Sequence, residues 1–528
     1  MSVVFCHADN NVAVITLFMR TRCLLFISLF CIAVLQPSAL MAQRIIEYES
    51  GMGTRDPGNS DIWILYNHVV AYHDGMTLIT DSASFDTKNN VFVAYRNVVI
   101  HFTDTTTLYG SSAIYDGTTR IADVWGDTVT LVDGKTILKT DIISYDRNSS
   151  TASYYHWGHT VHVGDTMDSD KGFYHSDTRD LFLFDNVALF NANSRLLTDT
   201  LYYNTRTSLA QFVSPTDIFS DSSTVYSENG TYNTNTHLAC SYKATRLTNR
   251  EKWLTADTLY FNDKTEHGEA WGNVTIVDTL NNVICKGEYG LTDQERHASL
   301  VTDSALIVLI DKGDSAFMHA DSIWAFNNDD KEFESAKAYR TVRVYRYDAQ
   351  AVCDSLFYSA KDSVLYLYQN PVVWYDNYQC TADTIICHFD SGGVRLVNLR
   401  ANIMAVEKVD RLKFNQVKGK NADVYCKDSE PLYADVLGSA RMVYYVLDET
   451  EEGNHRELIG VNAGMGSDMR IYFKNRKPTR FATYGTPDMK MYPPDELPEE
   501  EKSLPGFKWQ EEIRPLSPAD VFVRKSQD

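Results

Sequence analysis

Apolar and polar residues alternate at period two along most of this chain, and the alternating runs recur at a spacing of about 30 residues. In Leu254-Thr-Ala-Asp257-Thr-Leu259-Tyr-Phe261, the side chains of Asp257, Leu259 and Phe261 fall on one strand face. A turn of Asn262, Asp263 and Lys264 follows, and a second run, Glu269-Ala-Trp-Gly272-Asn273-Val274, brings the chain back. The pattern predicts a β-hairpin with a fixed entry and a fixed exit.

The entry recurs from Asp81 to Phe85, Ser111 to Tyr115, Asp141 to Tyr145, Asp170 to Tyr174, Asp199 to Tyr203, Glu228 to Tyr232 and Gly287 to Leu291. It loosens at Asp321, Asp354, Asp383 and Asn421. The steps are roughly 29 to 30 residues, stretching to about 33 to 38 late in the chain, a period that marks a repeat architecture. Exits are visible at Arg96-Asn97-Val98, Gly126-Asp-Thr-Val129, Asp185-Asn186-Val187 and Gln369-Asn370-Pro-Val372. Between Met76 and Tyr445 no long run carries the helical period of 3.6. The expected fold class is all-β, with hairpin units stacked one on another.

Composition narrows the function. The chain has 528 residues, 44% of them hydrophobic and 12% aromatic, with a net charge of -21. That is ample for a core, and the acidic balance argues against nucleic acid as a partner, because like charges repel. Arg20 and Arg22 precede an apolar run from Cys23 to Leu35, and a small-residue stretch ends at Ala42. This predicts a signal peptide over residues 1–42 and an exported protein. Six cysteines follow it (Cys240, Cys285, Cys353, Cys380, Cys387 and Cys426), with no CxxC pair to suggest zinc. Beyond Leu458 the units fade into a Pro-rich, acidic tail. There Gly506-Phe507-Lys-Trp509 reads either as a docking segment or as a cap on the last repeat.

Candidate chemistry is sparse. The recurring Asp appears once per unit, which fits a structural device better than a catalytic dyad, where two carboxylates meet in one place. His156, His159 and His162 do not converge on one strand face, so no metal is expected there. No catalytic residue, cofactor or metal ligand is identified. What remains is the apolar interior, which either fills a closed, dry core or lines a long groove able to take acyl chains.

The Leu-x-x-Asp-x-x-x-Tyr entry followed by Ala-x-Gly-Asn-Val resembles the organic solvent tolerance (OstA/LptA) family of lipopolysaccharide-transport proteins. The likeness is best at Leu78 to Val98, Leu197 to Ile218 and Leu254 to Ile276, and departs from the pattern at Ser111, Gly287 and Cys387. The resemblance implies an elongated, open β-jelly roll whose interior holds the acyl chains of lipid A in the periplasm, without covalent chemistry. It implies partners in lipopolysaccharide, in other jelly-roll proteins of a transport bridge and in the outer-membrane translocon, joined by edge-strand pairing. The residues expected to face the groove are Ala83, Phe85, Tyr115, Ile143, Tyr145, Tyr174, Leu201, Tyr203, Tyr232, Leu259 and Phe261. Two jelly rolls are expected, over 43–305 and 306–475, with a tail over 476–528. The competing readings are a structural envelope protein with a dry core, a carbohydrate-active parallel β-helix and, least favoured, an outer-membrane barrel.

Overall fold

The computed structural model describes residues 45–523, apart from 222, 250–251, 294, 312–313, 330–331, 450–455 and 495. The leader expected over 1–42 lies outside the described residues. Successive strands pair antiparallel with their sequence neighbours in one continuous sheet, from Glu47–Glu49 to Asp488–Tyr492. Every pairing in it is antiparallel, which removes the parallel β-helix. The only helical turns among the described residues are short 3-10 segments in the tail.

Each rung is bent in the middle, and the burial pattern shows how. In Met76–Asp86 the buried positions are Met76, Leu78 and Thr80, then Ala83 and Phe85, so the inward phase jumps by one at Asp81. The next strand, Val91–His101, buries Phe92 and Ala94, then Val98 and Ile100. The ladder between the two breaks at the same place, between Ile79 and Ser82. Arg96 and Asn97 carry φ of 66° and 50° there, and like pairs recur at Asp185–Asn186, Gly272–Asn273, Gln369–Asn370 and Ala401–Asn402. Left-handed backbone is costly for most L-residues and tolerable for Asn and Gly, which explains the Gly-Asn exit. At these corners Asn97, Asn186 and Asn273 donate through Nδ2 to Asp81, Asp170 and Asp257 at 2.8, 2.7 and 2.9 Å. The recurring Asp is therefore a corner brace.

The bend gives every rung two arms. Arm I ends at hairpins such as His73–Met76 and Asp133–Thr136, and arm II at turns such as Asp86–Val91 and Asp116–Ile121. Arm II turns are set by a side chain: Asp116 Oδ1 accepts the backbone N–H of Thr118 and Thr119, and Arg120 then takes φ 63°. The same device recurs at Asn204, Asn233 and Asn262.

The core forms two main clusters, one from Ile46 to Val274 and one from Val301 to Ile471, with Ile276 touching both. Strand pairing runs unbroken between them, through Ala298–Asp311 and Asp314–Asn327. Residues 477–492, which the sequence grouped with the tail, form the last two strands. After Tyr492 the tail turns back along the outside of arm I. Leu497 packs near Val443 and Tyr445, and Ile513 joins Val352, Val372 and Trp374. Gln416 donates to Lys502 O and accepts from Leu504 N–H, each at 2.8 Å, and Gln379 does the same with Lys508 and Gln510. Phe507 and Trp509 both pack against Phe414 with tilted rings, so this segment is a strap across several rungs.

Candidate functional site

All the residues expected to line a groove sit on the inward face of arm II. Ala83, Phe85, Tyr115, Ile143, Tyr145, Tyr174, Leu201, Tyr203, Tyr232, Leu259 and Phe261 are between 0% and 7% exposed. Their burial comes from closure of the two arms on each other. An 11-residue strand is on the order of 35 Å long if straight, so its two ends could not both reach one contact. Here His73, at an arm I tip, lies 2.7 Å from the hydroxyl of Tyr115, at an arm II tip.

That contact is one of a series. Ile46 N–H donates to Asn90 Oδ1 at 3.0 Å, and Arg120 reaches Asp74 at 2.5 Å. Arg147 donates to the carbonyls of His73 and Asp74, and Tyr145 stacks on Phe102 with ring centroids 3.9 Å apart. Tyr174 donates to Asp133 Oδ2 at 2.8 Å, and Arg179 pairs with the same carboxylate. Asp165 Oδ2 accepts from Tyr203 and from Thr234, both at 2.6 Å. Tyr232 lies 2.8 Å from Ser194 Oγ. A buried tyrosine needs a partner for its hydroxyl, and these arm I groups supply one. Burial pushes the phenols of Tyr115, Tyr145 and Tyr232 up and that of Tyr174 to about 12, so the seam tyrosines stay neutral donors or acceptors.

Past Phe261 the interior changes. Inward residues near the corners remain buried, among them Ala305, Ile323, Ala338, Leu356, Ile385 and Leu399. Inward residues further out along the arms are only half buried: Ile307, Met318 and Val344 on arm I, Tyr358, Leu365, Val397 and Val424 on arm II. An inner face that is dry at its apex and half exposed towards its tips is the inside of an open V. The chain thus carries a sealed stretch, to about Phe261, and an open apolar stretch after it.

The model of OstA-like proteins matches residues 45–199 and, overlapping, 181–257. This part of the chain is similar to OstA-like proteins. The match coincides with the sealed stretch, and the same bent hairpins continue beyond it. The crystal structure of LptH, described as the LptA-homologous periplasmic component of the lipopolysaccharide transport device of Pseudomonas aeruginosa, is 13% identical. It covers 27% of this chain and 92% of its own, with a TM-score of 0.21. No curated protein matches the chain.

Within the OstA-like part, the histidines stay apart: His156 meets Asp141 at a corner, His159 meets Asp168, and His162 meets Thr136. The corner between His156 and His159 keeps the strand parity, with Ala152 and Tyr154 buried before it and Gly158 and Thr160 after it. The six cysteines are free thiols. Burial pushes Cys353 and Cys387 up to about 12 and Cys285, Cys380 and Cys426 to about 11, so none of these five is a ready nucleophile. The seam partners His73, Asp133, Asp165 and Ser194 were not picked out in the sequence. Each sits beside a hairpin, where a polar residue reads as an ordinary turn former. Arg120 and Arg179 carried a faint signal, as basic residues closing arm II turns at φ 63° and 69°.

Proposed function

We propose that this is a non-enzymatic, exported protein of the lipopolysaccharide-transport type that holds acyl chains in the open V beyond Phe261. The supporting observation is the row of half-exposed apolar side chains on its inner face, Met318, Val344, Leu365, Val397 and Val424 among them. Covering each methylene there stabilises by about 0.8 kcal/mol, so a bound acyl chain gains several kcal/mol from this surface. The groove-facing residues between Ala83 and Phe261 belong in this reading to a lipid site only where the seam parts. Both ends of the sheet carry unpaired edges, Met52–Arg55 with every residue exposed and Lys477–Tyr484 at the other end, and these suit edge pairing with other jelly rolls of a bridge towards the outer membrane.

The dry interior of the OstA-like part favours a second reading, a structural envelope protein. Site-specific photo-crosslinking in lipopolysaccharide-producing cells separates the two, with the probe at Leu365, which faces inward, and at Tyr366, which faces outward. Lipopolysaccharide adducts at Leu365 alone support the transport reading. A folded, exported protein with no lipid adduct at either position is the outcome that favours the scaffold.

A further inference from the structure

The open V does not run out freely at the C-terminal end of the stack. Tyr375 and Tyr378 face inward at an arm I tip, directly paired across their hairpin. Arg476 sits in the arm II turn between Arg456–Lys474 and Lys477–Tyr484. Its guanidinium lies over the ring of Tyr375 at 5.4 Å, and its carbonyl accepts from the hydroxyl of Tyr378 at 3.2 Å. Glu430 holds the same guanidinium at 3.3 Å. Arms that stand apart through the middle of the groove therefore meet again here.

The surroundings of this clasp are unsuited to acyl chains. Glu407 accepts from Tyr378 at 3.0 Å and from Asn415 at 2.8 Å, so the inner face of arm I turns polar and charged at this level. One step further, Tyr444 of arm I and Phe481 of arm II pack with ring centroids 4.8 Å apart, filling the angle of the V. A hydrocarbon chain sliding past would have to displace a cation–π contact and lie against a carboxylate, which costs desolvation with no compensating partner.

From these contacts we infer that the groove is stoppered at both ends, by the tyrosine seam at one and by the Arg476 clasp at the other. Acyl chains therefore enter and leave sideways through the open middle instead of passing along the whole stack. The inference rests on the lipid reading above and adds the route. A continuous slide would need an apolar path through both edges of the sheet, and this chain interrupts it twice.

The test is labelling of the full-length protein with a diazirine-bearing fatty acid, followed by peptide mapping. In the unmodified chain, label is expected on peptides holding Leu365 and Val397, with at least tenfold less on those holding Tyr203 or Met489. Arg476→Ala, a change at a partly exposed side chain, is expected to spread label to the Phe481–Met489 peptide. Tyr378→Phe, which removes only the hydroxyl, should do so more weakly. Strong label at Met489 in the unmodified chain, or an unchanged pattern in both variants while Leu365 stays labelled, would overturn the stopper and leave the lipid reading intact. Absence of label from Leu365 and Val397 alike would overturn both.

Discussion

Replacing Arg179 by alanine tests whether the OstA-like part is sealed in solution. The Asp133 side chain is 1% exposed, and it is held by the Arg179 guanidinium and by the Tyr174 hydroxyl at 2.8 Å. Arg179 also lies 3.2 Å from the Tyr174 oxygen, so the three groups form one closed set. Breaking a buried ion pair by removing one partner typically costs about 3 to 5 kcal/mol, because the remaining charge has neither water nor counter-ion. Arg179 is partly exposed, which places the expectation at the lower end, about 3 kcal/mol. Adding Asp133→Asn removes the stranded charge, so the double variant should be more stable than Arg179→Ala alone. Repeat chains open regionally, so native-state hydrogen exchange of the peptides around 133 and 174–179 is the assay, with urea unfolding beside it. A loss below about 0.5 kcal/mol, without rescue by Asp133→Asn, is the size expected of a solvated pair. That result would mean the arms stand apart there and that Tyr174 and Tyr203 line a groove after all.

At the corners, Asn97→Ala should cost about 1 to 2 kcal/mol in urea unfolding, from a lost brace to Asp81 and a non-Asn residue at φ 50°. Asn97→Gly should cost less, because glycine relieves the backbone. Burial holds the His162 imidazole below its ordinary pKa of 6.5, so its neutral form stabilises the fold above that pH and the contribution is lost as pH falls through the depressed value. His162→Gln should flatten the stability profile just below pH 6.5, which thermal unfolding across pH 5 to 7 would show. Truncation after Tyr492 would uncover Val352, Val372, Trp374 and Val443. Hydrogen exchange should then rise on arm I of the last rungs and stay unchanged before Phe261, and a uniform rise would refute the strap as a local brace.

Much of this fold is legible in the sequence because period two and a unit of about 30 residues both report contacts between chain neighbours. The inward face of arm II, from Phe85 to Phe261, follows from alternation alone. The seam does not, because the hydroxyl partners of Tyr115, Tyr174, Tyr203 and Tyr232 lie 38 to 42 residues away, out of step with the repeat. Asp133 and Asp165 therefore look like turn residues until the arms are folded together. The strap was half legible: Gly506 to Trp509 read as a docking segment or a cap, but its reach across several rungs is written in Gln379 and Gln416, which belong to strands.

The mismatch between seam and repeat makes the two parts of the chain differ in modularity. Excising one whole unit from the rungs between Ile276 and His319, ahead of the strap and the Arg476 clasp, would rejoin similar hairpins, since neighbours there contact mainly neighbours. The same excision between Arg120 and Arg179 would set the Arg179 guanidinium opposite Phe102 instead of Asp133. The sealed part is thus an interlocked piece of fixed length, and the rungs just after it are where such a chain can be lengthened or shortened by whole units.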